Sequence, residues 1–212
     1  MAQRMLACTG CHGKDGRALG DVYFPRIAGK PAGYLVNQLR NFRDGHRSYP
    51  LMAGLLGVLS DSYLQEIARY FSSLDLPYPA PAAAVLPPAQ AERAQALVRQ
   101  GDALRSLPAC SGCHGEALTG VLPHVPGLLG LPRDYLNAQL GAWKTGQRRA
   151  SAPDCMAKVA QALTVAEVAA ISAWLAAQPL PTDTHAVVAV RRPAGDLPRP
   201  VCGSAPELEV LR

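Results

Sequence analysis

Apolar residues recur at helical spacing along much of this chain. Between Pro31 and Gly45 they fall at Leu35, Leu39 and Phe42, which predicts a helix with one buried face. Ser60 stands at the N-cap of a second stripe made of Leu64, Ile67, Ala68 and Phe71. Thr164 and Glu167 have the spacing of a capping box ahead of Val168, Ile171 and Leu175. Ala91 to Leu107 reads as one long helix with Ala94, Leu97, Val98 and Leu104 turned inward. Leu76 to Gln90 carries Pro77, Pro79, Pro81, Pro87 and Pro88, which predicts an extended, semi-rigid strap. From Pro179 the helical period is lost. Val187 to Val190 suits a short strand, Arg191 and Arg192 a solvated pair, and Pro193 to Pro206 is rich in proline.

The same pattern occurs twice, displaced by just over 100 residues. Pro25 and Gly29 fall on Pro126 and Gly130, and Tyr34-Leu35-Val36-Asn37-Gln38-Leu39 falls on Tyr135-Leu136-Asn137-Ala138-Gln139-Leu140. Phe42 meets Trp143, Gly45 meets Gly146 and Arg47 meets Arg148. With small length changes Met52 meets Met156, Ile67 meets Ile171 and Tyr70 meets Trp174. The expected organisation is a first domain at 1–76, a Pro-rich linker at 77–90, a second domain at 91–178 and an irregular tail at 179–212, packed on or extending from domain two. The helix preceding the first motif is clipped relative to its counterpart, and Met1 to Ala7 lacks the apolar core of an export signal.

The candidate chemistry lies in the cysteines. Cys8-Thr9-Gly10-Cys11-His12 and Cys110-Ser111-Gly112-Cys113-His114 are both C-x-x-C-H, the pattern for covalent haem attachment. Two thiols three positions apart on a helical turn each add to a haem vinyl group, and the adjacent His then lies under the iron. The rivals are a zinc site assembled from both copies and a redox dithiol, but no βαβ pattern surrounds either motif. Haem attachment takes place outside the cytoplasm, so a periplasmic protein is expected.

A six-coordinate haem needs a second axial donor, and domain two contains a single Met, Met156, which the repeat equates with Met52. They follow His12 and His114 by 40 and 42 residues, enough chain to cross to the far face of a haem. The candidate metal ligands are therefore His12, Met52, His114 and Met156. His124 is a lesser alternative; His46 and His185 read as surface residues, and Met1 and Met5 stand too near Cys8 to reach its distal side. Cys155 and Cys202 remain. In an oxidising compartment they tend to pair; the alternatives are two free thiols, or Cys155 on iron in place of Met156.

Composition agrees. The hydrophobic fraction of 49% and charged fraction of 17% are those of a folded domain, while three Phe and two Trp are few for two cores, a shortfall that a pair of porphyrins fills. The formal charge of +5 suggests an acidic partner, but haem propionates would offset it, and no nucleic-acid partner is expected. No apolar run is long enough to cross a bilayer.

With its two C-x-x-C-H motifs, two Y-L-x-x-Q-L helices, two distal Met residues and two L-S/T helices, the chain resembles the cytochrome c4 family from about Met5 to Gln178. The resemblance implies two tandem class I cytochrome c domains related by an approximate two-fold axis, two covalently bound haem c groups, and propionates facing across the interface. It further implies that the carbonyls of Pro25 and Pro126 accept the ring N–H of His12 and His114. The function expected is one-electron carriage from a respiratory complex or dehydrogenase to a terminal oxidase or other acceptor, without bond chemistry. The alternatives are a dihaem enzyme of the thiosulfate dehydrogenase or peroxidase kind, and a cytochrome subunit docked on a dehydrogenase.

Overall fold

In the first half of the chain, helices α1 (Leu6–His12), α2 (Ala32–Arg43), α3 (Pro50–Leu56) and α4 (Asp61–Ser72) form because their apolar faces share one core. The computed structural model describes residues 1–18, 24–81, 86–189 and 200–208. Helix α4 starts where the Ser60 hydroxyl accepts the Tyr63 N–H, and its Leu64, Ile67, Ala68 and Phe71 are all buried. They pack with Leu35 and Phe42 of α2, Leu56 of α3 and Met5, each large side chain contributing about 1.5–3 kcal/mol by leaving water. Met5, 1% exposed, is a core residue.

The second half repeats the plan with α6 (Cys110–His114), α7 (Arg133–Lys144), α8 (Cys155–Ala162) and α9 (Val165–Ala176), and precedes it with α5 (Pro88–Arg99). Helix α9 packs against both α5 and α7, and its Val168, Ile171, Trp174 and Leu175 are buried among Ala94, Leu97 and Val98. The capping box expected at Thr164 and Glu167 is formed.

The structure corrects two boundaries. The single helix expected over Ala91 to Leu107 is broken: α5 ends at Arg99, and a 3-10 turn at Ala103–Arg105 separates it from α6. Gly101 adopts φ +76°, where a Cβ would strike the backbone of Leu107 and Pro108, and Asp102 and Leu107 exchange two backbone hydrogen bonds. Leu104, expected inward, is fully exposed as a result. The strap expected to run to Gln90 gives way to α5 at Pro88, since proline suits the first turn of a helix, where its missing N–H costs nothing. The strap's start is held on domain one by Arg26, whose guanidinium donates to the carbonyls of Leu76 and Pro77 and lies over the Tyr78 ring.

Three short strands join domain two to the tail: β1 (Gly120–Leu122) pairs antiparallel with β2 (Val125–Pro126) and parallel with β3 (Val187–Val188). Val190, the paired arginines 191 and 192, and residues 193–199 of the proline-rich stretch lie outside the described residues. Among the described residues no single helix is long and apolar enough to cross a membrane.

One polar network clasps domain two. Glu167 accepts from Arg93 of α5 at 2.9 Å and from Arg105 at 2.8 and 3.0 Å, while Asp102 accepts from the same two arginines. The Arg105 hydrogen bonds hold the Glu167 carboxyl down to about 2. A free glutamate titrates near ~4.3. The network therefore stabilises the fold at neutral pH and loses that contribution as pH falls from about 4.5 toward 2. Glu167→Gln is expected to cost on the order of 1 kcal/mol at pH 7 in urea unfolding, after discounting for solvent screening. The gap between variant and parent should close near pH 2; a gap that does not narrow would show that the charge is not what matters.

Candidate functional site

Both C-x-x-C-H segments are short helices that end in a buried histidine. His12 and His114 are each 8% exposed, and each donates its Nδ1–H to a proline carbonyl, Pro25 at 2.8 Å and Pro126 at 2.7 Å. This fixes the ring and the tautomer and leaves Nε2 as the free nitrogen. Burial lowers both imidazoles below the ordinary histidine value, outweighing the proline hydrogen bonds, so the rings are neutral as a metal ligand must be.

A cavity of about 800 Å³ runs through both halves, and all ten sequence-predicted site residues stand on its wall: Cys8, Cys11, His12, Pro25, Met52, Cys110, Cys113, His114, Pro126 and Met156. Met52 lies in α3 and Met156 in the first turn of α8, both half-buried. Burial raises the Cys8 thiol and pushes the Cys110 thiol up to about 12, the opposite of the thiolate that zinc binding or dithiol exchange uses. Among the described residues no three His, Cys, Asp or Glu side chains gather into a metal site of their own.

Polar groups on the cavity wall bear on whether a porphyrin with acidic side arms fits. The indole N–H of Trp143 is buried and has no partner among the described residues. Arg148, 5% exposed, stacks over Trp143 at 3.8 Å. These donors at the wall of an apolar cavity suit the carboxylates of a haem.

Sequence reasoning matched Gln38 with Gln139 and Arg47 with Arg148 but assigned them no part. The structure brings all four together between the domains. Arg47 donates to Gln38 at 3.1 Å and to Gln139 at 2.6 Å; Arg148 donates to Gln139 at 2.9 Å and to Gln38 at 2.9 Å. The backbones of Arg47 and Arg148 form an antiparallel bridge, and Arg47 also reaches the Tyr135 hydroxyl at 3.3 Å. The signal was available: polar residues repeated in register on a helix otherwise committed to the core.

Cys155 and Cys202 are disulfide-bonded, so the Cys155 sulfur is not a free thiolate for iron. His124 hydrogen-bonds Glu207 of the tail at 2.9 Å through Nδ1. His46 and His185 are exposed.

Helical domains of this plan, each presenting C-x-x-C-H to an apolar cavity with its His oriented by a proline carbonyl, define a tandem dihaem c-type cytochrome. The Cytochrome c family model matches residues 91–178. A thiosulfate dehydrogenase electron acceptor of Thiomonas intermedia (strain K12) is 39% identical over 177 residues, covering 82% of this chain and 79% of that protein. Reduced recombinant cytochrome c4 from Pseudomonas stutzeri superposes with a TM-score of 0.71 at 31% identity, covering 83% of this chain and 95% of that one. The thiosulfate dehydrogenase TsdBA from Marichromatium purpuratum gives a TM-score of 0.71 at 33% identity over 84% of this chain, which spans only 40% of that structure. The chain belongs to the cytochrome c4 family. It is a dihaem electron-transfer protein with covalently bound haem c.

Proposed function

We propose that the chain is a periplasmic shuttle that accepts single electrons from a dehydrogenase acting on an inorganic sulfur compound and passes them to a terminal oxidase or similar acceptor. Cys8 and Cys11 would hold one haem and Cys110 and Cys113 the other, with His12 and Met52 as the candidate iron ligands of the first and His114 and Met156 of the second. The haems supply the one-electron chemistry; Met opposite His favours the reduced metal and raises the potential. The protein's own residues orient each His, line the cavity with apolar side chains, and set Arg47 and Arg148 where propionate charge would be neutralised, with the Trp143 N–H as a further donor. With a His and a Met committed to each metal, neither iron would keep a position for substrate, which is the chemistry of a carrier.

The observation that carries this reading is the repetition of the whole half-site: each motif, His–Pro hydrogen bond and Met occurs twice in register around one cavity. The relatives' names support the sulfur-oxidising donor. A second reading, a cytochrome fixed to its dehydrogenase, is favoured by the TsdBA structure, of which this chain spans 40%.

The test begins with holoprotein matured in a competent host. Two haems per chain and a full-strength far-red sulfur-to-iron band are expected, with rapid reduction by thiosulfate dehydrogenase plus thiosulfate and none by thiosulfate alone. A single haem, a thiolate or high-spin signature, or thiosulfate oxidation by the isolated chain would overturn the carrier reading. Reduction that depends on the concentration of added dehydrogenase separates a free shuttle from a fixed subunit.

A further inference from the structure

The two candidate haem sites are repeats of one another, but they differ in what covers them. At the position of Leu51, which is 68% exposed beside Met52, domain two has Cys155, disulfide-bonded to Cys202. Around the first site Cys11 is exposed, and Leu55 on the cavity wall is 41% exposed. Around the second, Cys113 packs against a cluster that includes Cys202, Ala205 and Leu208, each at most 5% exposed, and the last three also line the cavity.

The covering segment is fastened on several sides. Gly203 donates its N–H to the Pro153 carbonyl at 3.0 Å, and a Cβ on Gly203 would collide with the Ala152 carbonyl, so the segment lies flush on the loop leading to Met156. Glu207 accepts from the backbone N–H of His124 at 3.1 Å and meets its ring at 2.9 Å. Asn37 of α2 donates to the Ser204 carbonyl at 3.0 Å, so the segment also touches domain one. Among the described residues nothing from the tail covers Leu51 or Cys11.

We propose that residues 200–208, tied down by the Cys155–Cys202 disulfide, close the second haem site to collision with other redox proteins, so that electrons enter and leave the molecule through the first haem. The inference rests on the haem and ligand assignment above. In the exchange itself one ferrous haem gives one electron to an external oxidant and becomes ferric, and no bond forms or breaks. The second haem communicates with the outside by way of the first.

The experiment blocks the open site. Leu51→Cys holoprotein is labelled with a maleimide-linked polymer or, as control, capped with iodoacetamide, after haemochrome assay shows two haems and the far-red band shows both Met ligands in place. Fully reduced protein is then mixed with oxidised azurin, whose Cu(II) takes the electron. The polymer is expected to slow oxidation of both haems by about tenfold or more relative to the capped control, because it obstructs the encounter on which association depends. If one haem of the polymer-bearing protein is still oxidised at the control rate, the second site is open and the proposal is overturned. The same variant lacking residues 200–212 and carrying Cys155→Ser, so that the polymer again has a single thiol to take, should recover fast oxidation, and in a spectroelectrochemical titration should show one of the two midpoint potentials lowered as water reaches the second haem. An unchanged potential and no restored rate would likewise overturn it; a truncated chain that fails to fold leaves the full-length comparison to decide. A haem count of one instead defeats the functional reading, independently of the tail.

Discussion

Met156→Ala is expected to remove half of the far-red absorption of the oxidised protein and to lower the potential of one haem while leaving the other unchanged. Met156 is half-buried on the cavity wall beside the disulfide-bonded Cys155, and nothing else on α8 offers iron a soft donor. On the proposed ligation, its loss would leave His114 as the protein's one donor to that iron, which would favour the ferric state. A fall on the order of 0.1 V is expected, a fraction of the roughly 0.8 V over which axial ligands tune haem potentials. Met52→Ala should do the same to the other haem, and the double variant should lose the band altogether. A band that survives both substitutions would show that neither methionine is a ligand. The two variants together also assign each potential to its site.

Arg148→Ala is expected to cost about 2–4 kcal/mol of stability and to slow electron exchange between the haems. The guanidinium is 5% exposed, donates to glutamines on both domains at 2.9 Å, and covers the Trp143 ring. Its loss strips one donor from the buried Gln139 oxygen and one from the half-buried Gln38 oxygen, and opens space beside an indole whose N–H lacks a partner among the described residues. Burial, with Arg47 alongside, disfavours the Arg148 charge, so the site gains from any anion that reaches it. Urea unfolding reports the stability, and the relaxation rate after flash reduction reports the exchange. A cost under about 0.5 kcal/mol with an unaltered relaxation rate would show that the arginine is a bystander.

Much of this architecture was legible before any coordinates. The stripes of α4 and α9 and their Ser60 and Thr164 caps depend on neighbours within a turn or two, which is the range over which sequence pattern acts. The C-x-x-C-H helices were readable because thioether attachment allows so little freedom in spacing. What escaped were features whose cause lies far along the chain. Gly101 breaks the helix through a turn closed by Leu107, so an apolar Leu104 at helical spacing misled the inward assignment. The tail's course over domain two follows from contacts between Glu207 and His124 and between Asn37 and Ser204, partners 83 and 167 residues apart. The disulfide was one of three readings for Cys155, since spacing alone does not say which sulfur meets which.

The contact at the centre of the molecule has a further consequence. Gln38 meets Arg148 as Gln139 meets Arg47, so the same patch occurs on both partners and each copy is its own complement. That is the arrangement of a symmetric homodimer, here joined into one polypeptide by the strap. Symmetric dimers magnify every change in the shared patch, because one substitution in the gene alters both sides; fusion lifts that constraint. Phe42 and Trp143, which lie under equivalent arginines, differ in this way, so each half of the patch can carry its own residue where a homodimer would have to repeat one.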